Sequence, residues 1–315
     1  MIPRFGFHGI VRPNINLIRP VYKKDILDCW IKAVTLAPDL VEALELSEVP
    51  QQVSQDNHAL AYFHIKKAVV FNPAVYLRAL WNYTTDVCNN SKWICEKVED
   101  LTLLTKIYDR IIIASGYGTP PLFQQLRTAS AADLKVQYVR GRIYQYDNSF
   151  SYQEVEPLNV ALLSGEYIVP TLDPESGQRV LSCGASHDHL KAHDVFSEDQ
   201  QYTYRNKAVA LSDTSVLDTK LQAKLTGIYP SLNTHHTLSI ESSGIRLVTE
   251  RTNLGRLPIV GQHPDQKQVY VLSGLGARGL VYHALMADYL VEAIITGNLD
   301  VIPSCLQPAV HSKSR

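Results

Sequence analysis

Three glycines near the C-terminus, Gly274, Gly276 and Gly279, stand in the spacing G-x-G-x-x-G, directly after the β-rich run Gln268–Ser273 and directly before a helical run from Leu280 to Thr296. Glycines let the chain turn tightly, and a helix start offers unpaired N–H groups and a partial positive charge to an electron-rich ligand. In a complete nucleotide-binding βαβ unit, Asp300 would be the acidic partner of a ribose some twenty residues on. That reading fails on length. Only 36 residues follow Gly279, the helix takes 17 of them, and Leu299–Ile302 stops at Pro303. The motif is therefore expected to present a helix N-terminus to a cofactor held mainly by earlier sequence.

A second constellation is His187-Asp188-His189 with His193-Asp194. Two imidazoles at i and i+2 meet a metal from one strand face, and histidine with carboxylate suits zinc, which would make the chain a metal-dependent hydrolase. The cluster lies in a polar stretch with Lys191, Glu198 and Asp199 and lacks an accompanying fourth-ligand pattern, so it reads as a solvated loop with no metal. His235-His236 is a weaker pair still. No G-x-S-x-G nucleophile elbow occurs. Five cysteines, Cys29, Cys88, Cys95, Cys183 and Cys305, show no C-x-x-C spacing and indicate neither a disulfide framework nor a cysteine zinc site.

These residues need a scaffold. From Lys23 to Leu46 the apolar positions follow helical spacing with a break at Pro38, predicting two helices. His58–Phe71 is β-rich, Asn72-Pro73 opens a helix through Trp81, and a strand is expected over Trp93–Val98. Tyr108–Gly118 contains the run Ile111-Ile112-Ile113-Ala114 before Ser115-Gly116, the pattern of a buried parallel strand entering a tight turn. From Lys135 onward the chain alternates as an antiparallel sheet: strands over Val136–Tyr146, Val160–Leu163, Tyr167–Leu172 and Arg179–Ala185, with Asp173–Gly177 as a hairpin turn. Residues 196–228 look helical in parts, and His236–Ile240, Ile245–Val248 and Gln268–Ser273 return to strand.

Composition narrows the classes. The 315 residues are 45% hydrophobic and 19% charged, which supports a sizeable core and excludes disorder as the main state. Thirty Lys and Arg against 31 Asp and Glu give a net charge of −1, so no bulk attraction to nucleic acid or anionic membrane exists. No run approaches 18 uncharged apolar residues, because the longest candidate carries His283, Asp288 and Glu292. The start has neither signal-peptide nor transit-peptide anatomy, and the cytoplasm is the default expectation.

Gly244-Ile245-Arg246, Leu257-Pro258-Ile259-Val260-Gly261 and Val269–His283 together resemble the C-terminal block of the FAD-dependent D-amino acid oxidase superfamily, to which glycine oxidase, sarcosine oxidase and the oxidase domain of the bacterial tRNA 5-methylaminomethyl-2-thiouridine enzyme belong. Asn72–Leu80, Tyr108–Gly116 and Val139–Ile143 stand in the family's order, and the wording Gly274–His283 is similar to plant and algal members. The resemblance implies an α/β (mixed α+β) chain: an incomplete FAD-binding Rossmann-like domain, residues 1–134 and 244–303, plus an antiparallel-sheet substrate domain, 135–243, and a tail, 304–315. Family members open with a strand, G-x-G-x-x-G, a helix and an acidic strand end. Here Gly6–Pro13 instead resembles a later glycine-containing stretch, so loss of that first βαβ and weakened FAD binding are expected.

The resemblance also implies roles. Arg246 stands where the family's substrate-carboxylate arginine stands, and a guanidinium fork suits a carboxylate, although Leu247 replaces the usual proline. His283, one turn into the C-terminal helix, is assigned to the substrate side, as a packing group or a proton acceptor. On the cofactor side stand Gly6, Gly9, Val98, whose backbone would meet adenine, and Gly116, near the phosphates. Gly274, Gly276, Arg278, Gly279 and Leu280 complete that side. The Gly279 and Leu280 amides would face the flavin pyrimidine carbonyl. The implied reaction is oxidation of a small amine or amino acid by hydride transfer to FAD, with molecular oxygen as a possible acceptor. The alternative is a non-catalytic remnant serving as a binding or regulatory module.

Overall fold

Residues 11–13, 15–54, 58–128, 133–148, 158–173, 176–196, 209–210 and 219–308 are described by the computed structural model. In chain order the strands are β1 (Val11–Pro13), β2 (Leu17–Val21), β3 (Val41–Leu44), β4 (Ala61–Ile65), β5 (Val69–Phe71), β6 (Ile111–Ile113), β7 (Val136–Asp147) and β8 (Ala161–Ser164). They continue as β9 (Glu166–Leu172), β10 (Arg179–Gly184), β11 (Asp188–Leu190), β12 (Val209–Ala210), β13 (Leu238–Thr249), β14 (Ile259–His263) and β15 (Gln266–Ser273). The fold is mixed α/β. Two compact units share the chain: Met1–Ile94, Arg142–Ser186 and Ala208–Ser242 form the first, and Cys95–Gly141, His187–Lys207 and Ser243–Arg315 the second. In the first unit β2, β3 and β4 hydrogen-bond into the sheet that contains β8, β9 and β10. Both β7 and β13 begin in one unit and end in the other.

The first unit is built on that sheet, in the order β12-β13-β7-β10-β9-β8-β2-β4-β3. Its pairs are antiparallel where their register is defined, apart from the parallel pair β2–β8. Alternation along β7 and β10 sends Tyr144, Tyr146, Leu181 and Cys183 into one core with Leu221, Leu225 and Tyr229. The predicted hairpin joins β9 to β10, and the Gly177 amide donates to the Asp173 carbonyl. Asn72 caps the helix Pro73–Val87, its side chain accepting from the Val75 amide at 3.2 Å.

Two predicted elements are corrected. The helical spacing after Pro38 gives way to β3, because Val41–Leu44 pair antiparallel with Ile65–Tyr62 of β4 and Val41 and Phe63 share a small core. Sheet neighbours override the local pattern there. Over Trp93–Val98 no strand forms. Trp93 and Ile94 are exposed, and Trp93 meets Trp81 edge-on at 5.3 Å rather than pairing in a sheet.

In the second unit β14, β15 and β6 form a sheet, with β15 parallel to β6: Val269 faces Ile111 and Val271 faces Ile113. The parallel strand expected from the isoleucine run is here, but only partly buried: Ile113 is 3% exposed and Ile112 47%. Side chains alternate across it. Ile113, Val269, Val271 and Ile259 pack with Phe123, Leu101 and Leu126 on one face, while Val260 and Tyr270 pack with Met286, Leu290 and Ala293 on the other. The latter three belong to the helix Gly279–Thr296, which ends at Gly297 with φ 70°, the left-handed conformation a glycine cap supplies at little cost. That helix is long and apolar enough to cross a membrane by length and composition, yet it packs one side on the sheet as a core layer.

Candidate functional site

Both parallel strands of the second unit end at glycine. Ser115-Gly116 follows β6 and Gly274 follows β15, and the C-terminal edge of a parallel sheet is where open α/β folds bind ligands. A cavity of about 300 Å³ lies at this edge. Its lining is Ala114 and Gly116 after β6, Ile245–Leu247 of β13, and Leu272–Gly276 at and beyond the end of β15. The bridge between Val248 and Leu275 brings the last part of β13 alongside the glycine turn. Thr249 Oγ1 anchors the same segment by donating to the Leu257 carbonyl at 2.7 Å.

The glycines do two different jobs. At Gly274, φ is +66° and an added Cβ would lie 2.9 Å from Cγ2 of Thr249, so the protein's own packing demands glycine. At Gly116, with φ +58°, an added Cβ would meet nothing within 4 Å, and at Gly276, with φ +55°, only the Val248 methyls at 3.8 Å. Open space beside a left-handed backbone is a cradle that a side chain would fill. Just beyond, a 3-10 turn over Gly276–Arg278 leads directly into the helix Gly279–Thr296, whose start has no side-chain cap.

The walls are mainly aliphatic, through Ile245, Leu247, Leu272 and Leu275, and Arg246 is the only ionisable side chain in the lining. No residue of the lining is a general base or an activated nucleophile. Such a pocket can hold a flat, largely apolar group with polar edges against backbone donors, and its chemistry is then that of the group it holds.

Of the residues singled out from sequence, Gly116, Arg246, Gly274 and Gly276 line one cavity. Arg278, Gly279 and Leu280 sit at the adjoining helix start, outside the lining, with Arg278 and Leu280 exposed. His283 Nδ1 donates to the Gly279 carbonyl at 3.0 Å within the helix and is not part of the lining. Val98 is exposed in the irregular stretch before Asp100 and is not in the lining either. Gly6 and Gly9 lie outside the described residues. The histidine cluster is not a loop: Asp188–Leu190 is β11, paired with β7, and His193 stands on the helix Ala192–Phe196. Asp188 accepts from Arg140 Nε at 3.1 Å, and among the described residues no three His, Cys, Asp or Glu side chains gather as a metal site.

Sequence reasoning missed Ala114, Ile245, Leu247, Leu272, Ser273 and Leu275. Ile245, Leu247, Ser273 and Leu275 are immediate neighbours of flagged positions, and Ala114 and Leu272 stand two residues from one, so proximity to the glycines and to Arg246 was the available signal.

A mixed three-stranded sheet, β14 antiparallel and β6 parallel to β15, with a glycine cradle where the parallel pair ends and a long helix beyond, is the frame of a cofactor-binding α/β protein. Residues 21–293 match the model of the family described as FAD dependent oxidoreductase, abbreviated DAO. The chain belongs to this family: it is a flavoprotein oxidoreductase whose cofactor is FAD. Among solved structures it is similar to glycine oxidase from Geobacillus kaustophilus, at 17% identity and TM-score 0.65, covering 96% of this chain and 75% of that one. It is also similar to iminodiacetate oxidase from Chelativorans sp. BNC1, at 15% identity and TM-score 0.65, covering 96% and 78%. The FAD-bound L-alpha-glycerophosphate oxidase from Mycoplasma pneumoniae is similar at 16% identity and TM-score 0.60, covering 91% and 74%. At these identities the likeness is one of fold. A comparison with curated proteins finds no match in sequence.

Proposed function

We propose that the chain oxidises a C–N bond of a small amine or amino acid, with Arg246 binding a substrate carboxylate and the glycine cradle holding part of FAD. The cavity around Gly116, Gly276 and Arg246 carries this reading, because it joins a cofactor-type backbone surface to one cation. The names of the similar glycine and iminodiacetate oxidases give the substrate class, both being amines that bear carboxylates.

FAD held here would supply a two-electron hydride acceptor for oxidation of the amine-bearing carbon to an imine that water hydrolyses, with molecular oxygen as the proposed final acceptor. The chain's own part is placement. Gly116 and Gly276 keep the backbone low enough for a planar group to approach, while Ile245, Leu247, Leu272 and Leu275 keep water from its faces. The amides of Gly279 and Leu280, at the positive end of an 18-residue helix, favour negative charge near the turn. Arg246 fixes the substrate by its carboxylate through a forked contact. Val98, Arg278 and His283 are assigned supporting places around these groups. In domain terms, residues 1–134 and 244–303 are proposed for the cofactor and 135–243 for the substrate.

An absorption spectrum of the purified 315-residue chain, desalted after incubation with FAD, tests the reading. Oxidised-flavin bands that stay with the protein support it and warrant a screen of amines with peroxide detection. A folded chain that retains no flavin overturns it in favour of a binding or regulatory role.

A further inference from the structure

His263, at the end of β14, is 1% exposed and has both ring nitrogens engaged. Nε2 donates to the Phe123 carbonyl at 3.0 Å, and Nδ1 accepts the Asp265 amide proton at 3.1 Å. The ring leans on the Phe123 ring with centroids 4.2 Å apart. This fixes one neutral tautomer, with its donor on the helix Thr119–Gln125 and its acceptor on the turn between β14 and β15. A second link runs beside it: the Asp265 carboxylate accepts from the Thr128 amide at 3.0 Å and from its hydroxyl at 3.4 Å.

The charged groups that face this ring are Arg127 and Asp265. Arg127 is 6% exposed, and of its guanidinium nitrogens Nη1 reaches Asp133 at 2.9 Å while Nε and Nη2 are buried without a partner. A second proton on the imidazole would go to Nδ1, the atom that receives the Asp265 N–H. Two donors would then confront each other across 3.1 Å, and a buried imidazolium would sit in the field of a guanidinium whose charge is only partly balanced. The Asp265 carboxylate offers partial compensation only by turning from Thr128. Either response undoes one of the two links.

We propose that His263 is an acid-released latch, tying the β14–β15 turn to the C-terminal end of the helix Thr119–Gln125 and letting go when its ring takes a second proton. The consequence reaches the cavity, since Thr119 at the other end of this helix accepts from Ser273 of the cavity lining. Burial, ahead of the Arg127 charge, lowers the His263 pKa from 6.5. A depressed folded-state value contributes stability that is fully present above 6.5 and is lost as pH falls toward the folded value.

Amide hydrogen exchange of the full chain, followed by mass spectrometry from pH 7.5 to 5 and corrected for intrinsic chemistry, reads the latch. Exchange in peptides spanning 119–128 and 259–266 is expected to quicken by close to tenfold per pH unit below 6.5, while β9 and β10 stay protected. His263→Gln keeps a donor for Phe123 without a titrating ring and abolishes this dependence. Arg127→Gln removes the neighbouring cation, so the protonated ring is better tolerated inside and the acid-dependent quickening becomes smaller, a second test should the first variant not fold. Protection that is flat with pH in the wild type, unchanged dependence in His263→Gln, or an undiminished dependence in Arg127→Gln overturns the proposal. The latch does not rest on flavin binding, so a chain without FAD would still show it.

Discussion

The hydroxyl of Ser273, last residue of β15, donates to Oγ1 of Thr119, first residue of the helix after β6, at 2.9 Å, and both side chains are buried. One bond thus ties the end of β15 to the start of the helix that follows its parallel neighbour β6. Thr119→Val keeps volume and removes the acceptor, leaving the Ser273 hydroxyl only the Gly116 carbonyl at 3.4 Å. A loss of about 1–3 kcal/mol in urea unfolding is expected, and less than about 1 kcal/mol for Thr119→Ser. A Val variant as stable as the parent would show that this bond does not hold the strand ends.

Arg246 separates binding from cofactor retention. Arg246→Ala should raise the KM for a carboxylate-bearing amine by about ten- to a hundredfold while flavin content stays constant, the worth of a charged forked contact. Arg246→Lys should recover only part, because a point charge cannot reproduce the fork. An unaltered KM in the Ala variant would remove Arg246 from the substrate site.

The cradle glycines should differ in kind. Gly276→Ala has room and pays only the left-handed backbone penalty of about 1–2 kcal/mol, so it should fold yet hold less flavin. Gly274→Ala adds a clash with Cγ2 of Thr249 and should lose more stability. Combining it with Thr249→Ser removes that methyl and keeps the hydroxyl bound to Leu257, so the double variant should regain part of the loss. Equal stability of the single and double variants would mean the clash is not the cause.

Alkaline behaviour should be set by the first unit. Burial raises the Tyr146 and Tyr229 hydroxyls to about 12, both in one core. A raised folded-state value contributes stability that is complete below the unfolded value near 10 and is lost as pH climbs toward 12. Thermal unfolding midpoints should therefore fall between pH 10 and 12, with two tyrosines ionising late by ultraviolet absorbance. Tyr229→Phe should make that fall shallower; an identical slope would exclude Tyr229 from it.

The sequence carried the local rules well. Asn72-Pro73 announced a capped helix and the isoleucine run a parallel strand, because each depends on backbone preferences within a few residues. It was silent where distant partners decide. Val41–Leu44 becomes a strand only because β4 is there to receive it, and Trp93–Val98 remains irregular with no sheet neighbour to take it up. The same holds for the site: the glycine spacing marked the turn beforehand, whereas the Ser273–Thr119 bond joins residues 154 positions apart. Nothing in the composition around His263 signals its burial.

Because β7 and β13 each pass from one compact unit into the other, neither unit is written as a single continuous stretch of gene. A deletion, duplication or exon exchange that took one of them whole would have to cut through the middle of a strand. The two halves of this protein are therefore bound to a common history, and neither can be traded away as a module.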